Sequence, residues 1–127
     1  MKQFITTLVI TLMLIGTAHA ELPSATDVVV KQTLSSGKPS VIDLGARTCI
    51  PCRKMAPILE GLQQELKGKV NVLFVDVWEN KAAADKFRVQ MIPTQIFLNA
   101  KGKEVKRHIG FMDKSEILNG LKTAGLK

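Results

Sequence analysis

The stretch Val41–Pro57, VIDLGARTCIPCRKMAP, contains the only two cysteines of the chain, Cys49 and Cys52. Before them, Ser40–Leu44 is a short apolar run with one carboxylate, bounded by proline and glycine, which predicts a buried strand. After them, apolar residues recur at helical spacing as far as Leu66, which predicts a helix. The cysteines therefore lie between the end of a strand and the start of a helix.

This position favours redox chemistry. A thiol at a helix N-terminus faces unpaired backbone N–H groups and the positive end of the helix dipole, and both stabilise the thiolate and lower the pKa of the thiol. We therefore expect Cys49, at the first turn, to be the attacking sulfur. Cys52, one turn further into the helix, is expected to be the more buried resolving sulfur. Pro51 stiffens the loop and has no N–H to lose at a helix start.

Three other roles for the cysteine pair are possible. A structural disulfide would close a loop of only four residues and would therefore stabilise the fold little. A structural zinc site needs four ligands, and beyond the two thiols only the distant His108 is available. Haem attachment requires a histidine directly after Cys52, where Arg53 stands. We therefore favour a dithiol that carries two electrons itself and needs no metal and no organic cofactor.

The rest of the chain alternates helices and strands. Ser24 is expected to cap the first helix, and Asp113, with Glu116 three residues on, the last one in a capping box. The predicted elements are a helix over 24–36, a strand over 40–44, a helix to 66, a strand over 70–77 buried on both faces, a helix over 81–87, strands over 94–98 and 104–109, and a helix ending at Gly125. This order predicts an α/β fold, a three-layer α/β/α sandwich with a mixed central sheet.

The stretch around the cysteines resembles the active-site strand and helix of thioredoxins. Met91–Thr94, Met-Ile-Pro-Thr, resembles the family's Ile-Pro-Thr loop, and Gly110 matches another family glycine. The resemblance covers almost all of the chain from Ser24 to Leu126. It implies a thioredoxin-like fold and a protein-disulfide reductase activity.

The resemblance also implies roles for residues away from the cysteines. Pro93 is expected to be a cis-proline beside the disulfide, and Ile92 to offer its backbone groups to an extended substrate peptide. Asp43 corresponds to the family's buried aspartate, whose raised pKa suits a proton acceptor for Cys52. The alternative for Asp43 is a surface position at the end of its strand.

The sequence departs from the family pattern beside the cysteines. Thr48 stands before the first cysteine, where the family usually has a tryptophan. Ile50 stands after it, where the family has a glycine. Together with Pro51, these residues are expected to line a partner groove that differs from that of cytosolic thioredoxin.

Two further departures lie behind the cysteines. Gly45 stands where the family has a bulky residue, and Phe74 stands where it has a lysine near the aspartate. Losing the lysine is expected to make Asp43 harder to ionise. Trp78, after the second predicted strand, is expected to be a packing residue rather than a substrate contact.

Residues 1–20 have the features of a secretory signal. Lys2 provides the positive charge, Phe4–Ile15 is almost wholly apolar, and Ala18-His19-Ala20 fits a cleavage site. An uncleaved membrane anchor is the alternative, but the apolar core is shorter than the roughly 20 residues of a spanning helix. We therefore expect a signal peptide over 1–20, a domain over 21–127, and a periplasmic or otherwise extracytoplasmic location.

The net charge of +7 does not indicate nucleic-acid binding here. An exported protein meets little nucleic acid, and no aromatic residues alternate with the basic ones to stack bases. The expected partners are disulfide-containing exported proteins and a membrane electron donor, and the expected oligomeric state is a monomer.

The direction of electron flow follows from the resemblance. Pro51 and Asp43 resemble the reducing members of the family, which favours a reductase. A disulfide oxidase or isomerase is one alternative. A thioredoxin-fold copper-binding or partner-binding module is another, with Met55 and Met91 as the available soft ligands.

Overall fold

The computed structural model describes residues 21–127, so the predicted signal peptide lies outside the described residues. The element order matches the prediction. The elements are α1 (Asp27–Leu34), β1 (Ser40–Gly45), α2 (Ile50–Glu65), β2 (Asn71–Asp76), α3 (Lys81–Lys86), β3 (Thr94–Leu98), β4 (Glu104–Ile109) and α4 (Lys114–Thr123).

The four strands form one mixed sheet in the order β2-β1-β3-β4. β1 pairs with β2 in parallel, while β3 runs antiparallel to both β1 and β4. The parallel pair is connected through α2, and β3 and β4 form a hairpin. The predicted mixed sheet is therefore confirmed.

The helices cover both faces of the sheet, because alternate strand residues point to opposite sides. Val41 and Phe97 pack with residues of α2 and α4, whereas Ile42 and Ile96 pack with residues of α1 and α3. We call these sides the α2/α4 face and the α1/α3 face. This confirms the three-layer sandwich.

The start of the first helix differs from the prediction. Thr26, not Ser24, is the N-cap, and its hydroxyl accepts a hydrogen bond from the Val29 N–H. The Ser24 hydroxyl instead accepts from the Asp76 N–H at 2.8 Å. Both residues are good caps, so sequence could not decide between them without the position of β2.

The second strand is also less enclosed than predicted. β2 lies at an edge of the sheet, and Asn71 and Leu73 are only half-buried. Its outer side is partly covered by the chain before α1, where the Ala25 N–H donates to the Phe74 carbonyl at 2.7 Å. Within residues 21–127, no helix is long and apolar enough to cross a membrane.

Candidate active site

Cys49 and Cys52 are joined by a disulfide at the N-terminus of α2, with their Cα atoms 5.2 Å apart. Cys49 is the N-cap residue, and its sulfur accepts from the Cys52 N–H at 3.3 Å. Cys49 is half-buried, whereas Cys52 is only 4% exposed. The helix terminus thus directs an N–H group at the outer sulfur and encloses the inner one, as the sequence predicted.

Asp43 lies in the middle of β1 and has no solvent exposure, so the alternative of a surface position is excluded. Burial raises the pKa of its carboxyl group to about 7, and a hydrogen bond from Gln95 partly opposes this. Asp43 and Gly45 point to the same face because they are two residues apart on one strand. This is the face on which Cys52 lies.

Gly45 provides the space for the inner sulfur. A Cβ atom at this position would lie 3.0 Å from the Cys52 Sγ and 3.5 Å from the Phe74 ring. The Arg47 guanidinium lies 4.9 Å from the centre of the same ring and forms an ion pair with Glu21. The departures at positions 45 and 74 therefore form an apolar wall, capped by an arginine, beside Cys52.

The Ile92–Pro93 loop lies at the same end of the sheet as the cysteines. Its peptide bond is cis. Thr94, the next residue, is paired with Leu44 near the end of β1, from which the chain continues into the cysteine loop. The Thr94 hydroxyl donates to the Met91 carbonyl at 2.6 Å, and the Gly110 N–H donates to the Pro93 carbonyl at 2.8 Å.

The Thioredoxin family model matches residues 22–123, almost the whole of the described chain. The chain belongs to the thioredoxin family. It is 36% identical over 90 residues to a thioredoxin of Rickettsia felis, covering 70% of this chain and 84% of the relative. It is also 36% identical over 92 residues to a thioredoxin of Alicyclobacillus acidocaldarius, covering 72% and 87%.

Solved thioredoxin structures have the same fold. Fasciola hepatica thioredoxin superposes with a TM-score of 0.66 at 32% identity, covering 77% of this chain and 93% of that one. A chloroplastic thioredoxin z superposes with a TM-score of 0.70 over 83% and 95%; at 24% identity this likeness concerns the fold alone. Family and cysteine pair together make this thioredoxin a thiol–disulfide oxidoreductase with protein-disulfide reductase activity.

The surface of this thioredoxin beside the cysteines is apolar and accessible. The prediction that Trp78 is a packing residue is wrong, since its side chain is 79% exposed. Ile50 and Met91 are also exposed, at 69% and 63%. Trp78 lies with Ile92 along a cavity of about 350 Å³. β2 ends at Asp76, and in the turn that follows Val77 packs against the core while Trp78 is exposed.

Sequence reasoning also missed two side chains of the site. Gln95 is fully buried and donates to Asp43, and the detectable signal was an amide inside the apolar strand Thr94–Leu98. Arg47 donates to the Leu22 carbonyl at 2.9 Å and so connects the cysteine loop to the start of the domain. Nothing in the local sequence around Arg47 indicates that contact.

Proposed function

We propose that this thioredoxin is an exported reductase that reduces disulfides in other exported proteins through its Cys-Ile-Pro-Cys dithiol. The observation that carries the proposal is the asymmetry of the pair, a half-buried Cys49 at the helix N-terminus and an enclosed Cys52 on the sheet face that also carries the buried Asp43. The apolar run and cleavage pattern of residues 1–20 support export.

In the first step the Cys49 thiolate attacks one sulfur of a partner disulfide. The partner S–S bond breaks, a mixed disulfide forms between Cys49 and the partner, and the other partner sulfur leaves as a thiolate. The N–H of Cys52, directed at the Cys49 sulfur, and the dipole of α2 stabilise the attacking thiolate.

In the second step Cys52 gives its proton to Asp43 and attacks the Cys49 sulfur. The mixed disulfide breaks, the Cys49–Cys52 disulfide forms, and the partner leaves with both of its sulfurs reduced. A carboxyl group with a pKa of about 7 can accept and release a proton near neutral pH. The structure holds the oxidised product of this cycle.

The partner is proposed to lie across the apolar surface around Cys49. Thr48, before Cys49, and Ile50 and Pro51, in the first turn of α2, are exposed. The half-buried Ile92 offers its backbone groups to an extended segment of the partner, beside Pro93. No nucleic acid is needed for this reaction, and the protein acts as a monomer.

Regeneration requires two electrons per cycle. Because the exported compartment is oxidising, we propose a membrane dithiol protein as the donor, which reduces the Cys49–Cys52 disulfide by the reverse exchange.

The first test is the equilibrium reduction potential of the pair in defined redox buffers at pH 7. A reductase is expected to have a potential below roughly −220 mV, whereas a value near −120 mV would make the protein an oxidant of exported thiols. Stoichiometric binding of Cu(I) by the reduced protein would instead favour the copper-binding module.

Two single-cysteine variants test the division of labour. Cys52→Ser is expected to accumulate a mixed disulfide with a disulfide-containing test protein, because the resolving thiol is missing. Cys49→Ser is the matched control and should trap nothing. Equal trapping by both variants would contradict the assigned roles.

Export is tested separately, by determining the N-terminal residue of the protein recovered from cells that express the full chain. Cleavage after Ala20 gives an extracytoplasmic protein that begins at Glu21. Recovery of uncleaved chain in the cytoplasm would refute export without affecting the redox chemistry.

A further inference from the structure

Asp43 has one polar neighbour in the adjoining strands. The residue opposite it on β2 is Phe74, and the residue opposite it on β3 is Gln95. Gln95 Nε2 donates to Asp43 Oδ1 at 2.8 Å, and both side chains have no solvent exposure. Within the described residues, Asp43 Oδ2 has no hydrogen-bond partner.

The two carboxylate oxygens of Asp43 have different surroundings. Oδ1 is held from the side by the Gln95 amide, so the carboxyl group cannot rotate without losing a buried hydrogen bond. Oδ2 has no such partner among residues 21–127. The Asp43 side chain lies on the α2/α4 face, on which Gly45 is the next residue of β1 and Cys52 packs against Gly45. Phe74, which replaces the family lysine, has no donor to offer to either oxygen.

We propose that Gln95 is a positioning residue for the resolving step, which holds Asp43 so that Oδ2 can take the proton of Cys52. The inference rests on the proposed role of Asp43 as proton acceptor and adds the group that orients it. In this thioredoxin the uncharged amide of Gln95 on β3 thus orients the buried carboxyl group of Asp43, and β2 has no lysine.

The electrostatic effect of the amide is opposite to that of burial. Burial raises the pKa of Asp43, whereas an N–H that donates to the carboxylate stabilises the ionised form and lowers it. Several titratable or charged groups lie on the segments packed around Asp43. They include Cys52 and Glu60 of α2, Asp76 of β2, and His108 of β4, which pairs with Gln95. Two cations lie over aromatic rings of this face, Arg47 over Phe74 and Lys106 over Phe97. α4 buries only apolar side chains and Gly120 on this side.

The test is a pH titration of the Asp43 carboxyl carbon by NMR in the oxidised protein and its variants. Gln95→Met keeps the size of the side chain and removes the donor. We expect it to lower the ionisation constant of Asp43 about tenfold, as for the loss of one hydrogen bond to a charged group. Ile96→Val, the neighbouring residue on the other face of β3, is the matched control and should leave the titration unchanged.

A kinetic measurement separates positioning from a purely structural effect. The rate at which Cys52 resolves a preformed mixed disulfide is expected to rise with pH through the Asp43 titration, and Gln95→Met should move this rise to higher pH. In an Asp43→Asn background, Gln95→Met should have no further effect on the pH profile. A full effect of Gln95→Met in that background would overturn the proposal.

Wild-type protein gives a further readout if Gln95→Met does not fold. The side-chain amide resonances of Gln95 are expected to shift with the same midpoint as the Asp43 carboxyl carbon. Unmoved amide resonances, or an unchanged Asp43 titration in Gln95→Met, would refute the inference.

Failure of the proposed function looks different from failure of this inference. If Asp43→Asn resolves the mixed disulfide as the wild type does at every pH, then Asp43 is not the proton acceptor. The role of Gln95 then fails with it, even where the titration moves as expected.

Discussion

The two faces of the sheet differ in chemistry although the same strands form both. On the α1/α3 face the central positions are apolar, and Ile42, Leu44 and Ile96 have no exposure. On the α2/α4 face the corresponding central positions of β1 and β3 are Asp43 and Gln95, which are equally buried. One face is therefore a core alone, while the other is a core that also contains a titratable group.

The buried acid on the α2/α4 face lowers the stability of the fold. A buried carboxyl group with a single hydrogen bond destabilises the folded chain when it is ionised. Apolar packing on the α1/α3 face can offset this loss of stability, because the same strands pack against the helices on both faces.

An acid on the apolar face should not be tolerated. Leu44→Asp would bury a charge with no donor and lose the packing of a leucine, so we expect the free energy of unfolding to fall by at least about 5 kcal/mol. Leu44→Ala, which loses packing only, is the control and should cost about 2–5 kcal/mol. Urea denaturation measures both. A Leu44→Asp variant as stable as Leu44→Ala would show that this face accepts charge.

The acid on the α2/α4 face should make stability depend on pH. Its pKa is raised from 3.8 to about 7 in the folded protein, so the folded state holds the proton more tightly than the unfolded state. The contribution of Asp43 to stability should therefore be fully present below about pH 4 and be lost as pH rises through about 7, by about 4 kcal/mol in total above pH 8.

The variant that isolates this effect is Asp43→Asn. Denaturation of the oxidised wild type and the variant across pH 4–9 gives the difference, in which other titrating groups cancel. We expect the two curves to diverge as pH rises, with the variant the more stable. Parallel curves would show that Asp43 has an ordinary pKa.

Close packing on the α2/α4 face can be tested at Gly120 of α4. A Cβ atom there would overlap the Phe97 ring, so Gly120→Ala should lower the unfolding free energy by about 1–3 kcal/mol. Gly61 of α2 has open space around it, and Gly61→Ala should stabilise by about 0.5–1 kcal/mol. Thermal unfolding distinguishes the two, and equal shifts in midpoint would contradict the expected crowding.

The helix caps should give the smallest effects. Asp113 accepts from the Glu116 N–H at 2.8 Å and its own N–H donates to the Glu116 carboxylate, whereas Thr26 accepts at 3.4 Å. We expect Asp113→Ala to cost about 1–2 kcal/mol and Thr26→Ala about 0.5 kcal/mol. The reverse order in chemical denaturation would show that cap geometry does not govern these helices.

Most of the fold could be predicted from local patterns. The bounds of β3 and β4 match the predicted ranges, and the capping box at Asp113 is confirmed, because hydrophobic spacing and capping residues lie within a few positions of one another. The inner position of Cys52 also follows from its place one turn into a helix.

Long-range pairing explains what the sequence could not show. Gln95 contacts Asp43, 52 residues earlier in the chain, because the register of β1 and β3 places the two residues opposite each other. Ser24 is attached to Asp76, also 52 residues away, and so does not cap α1. The exposure of Trp78 depends on where β2 leaves the sheet, which no local pattern around the tryptophan records.

The two open sides of the sheet have a consequence for self-association. An unpaired edge strand can recruit a strand from another molecule and start aggregation. β4 carries Glu104, Lys106 and Arg107 along its exposed edge, and such charges oppose stacking of one copy on another. At the other edge, the Ala25 N–H donates a hydrogen bond to the Phe74 carbonyl of β2, so this group is not available to a second chain. The proposed reaction forms transient disulfides between molecules. The charged β4 edge and the covered β2 edge oppose a different kind of association, in which the backbones of two copies pair as strands.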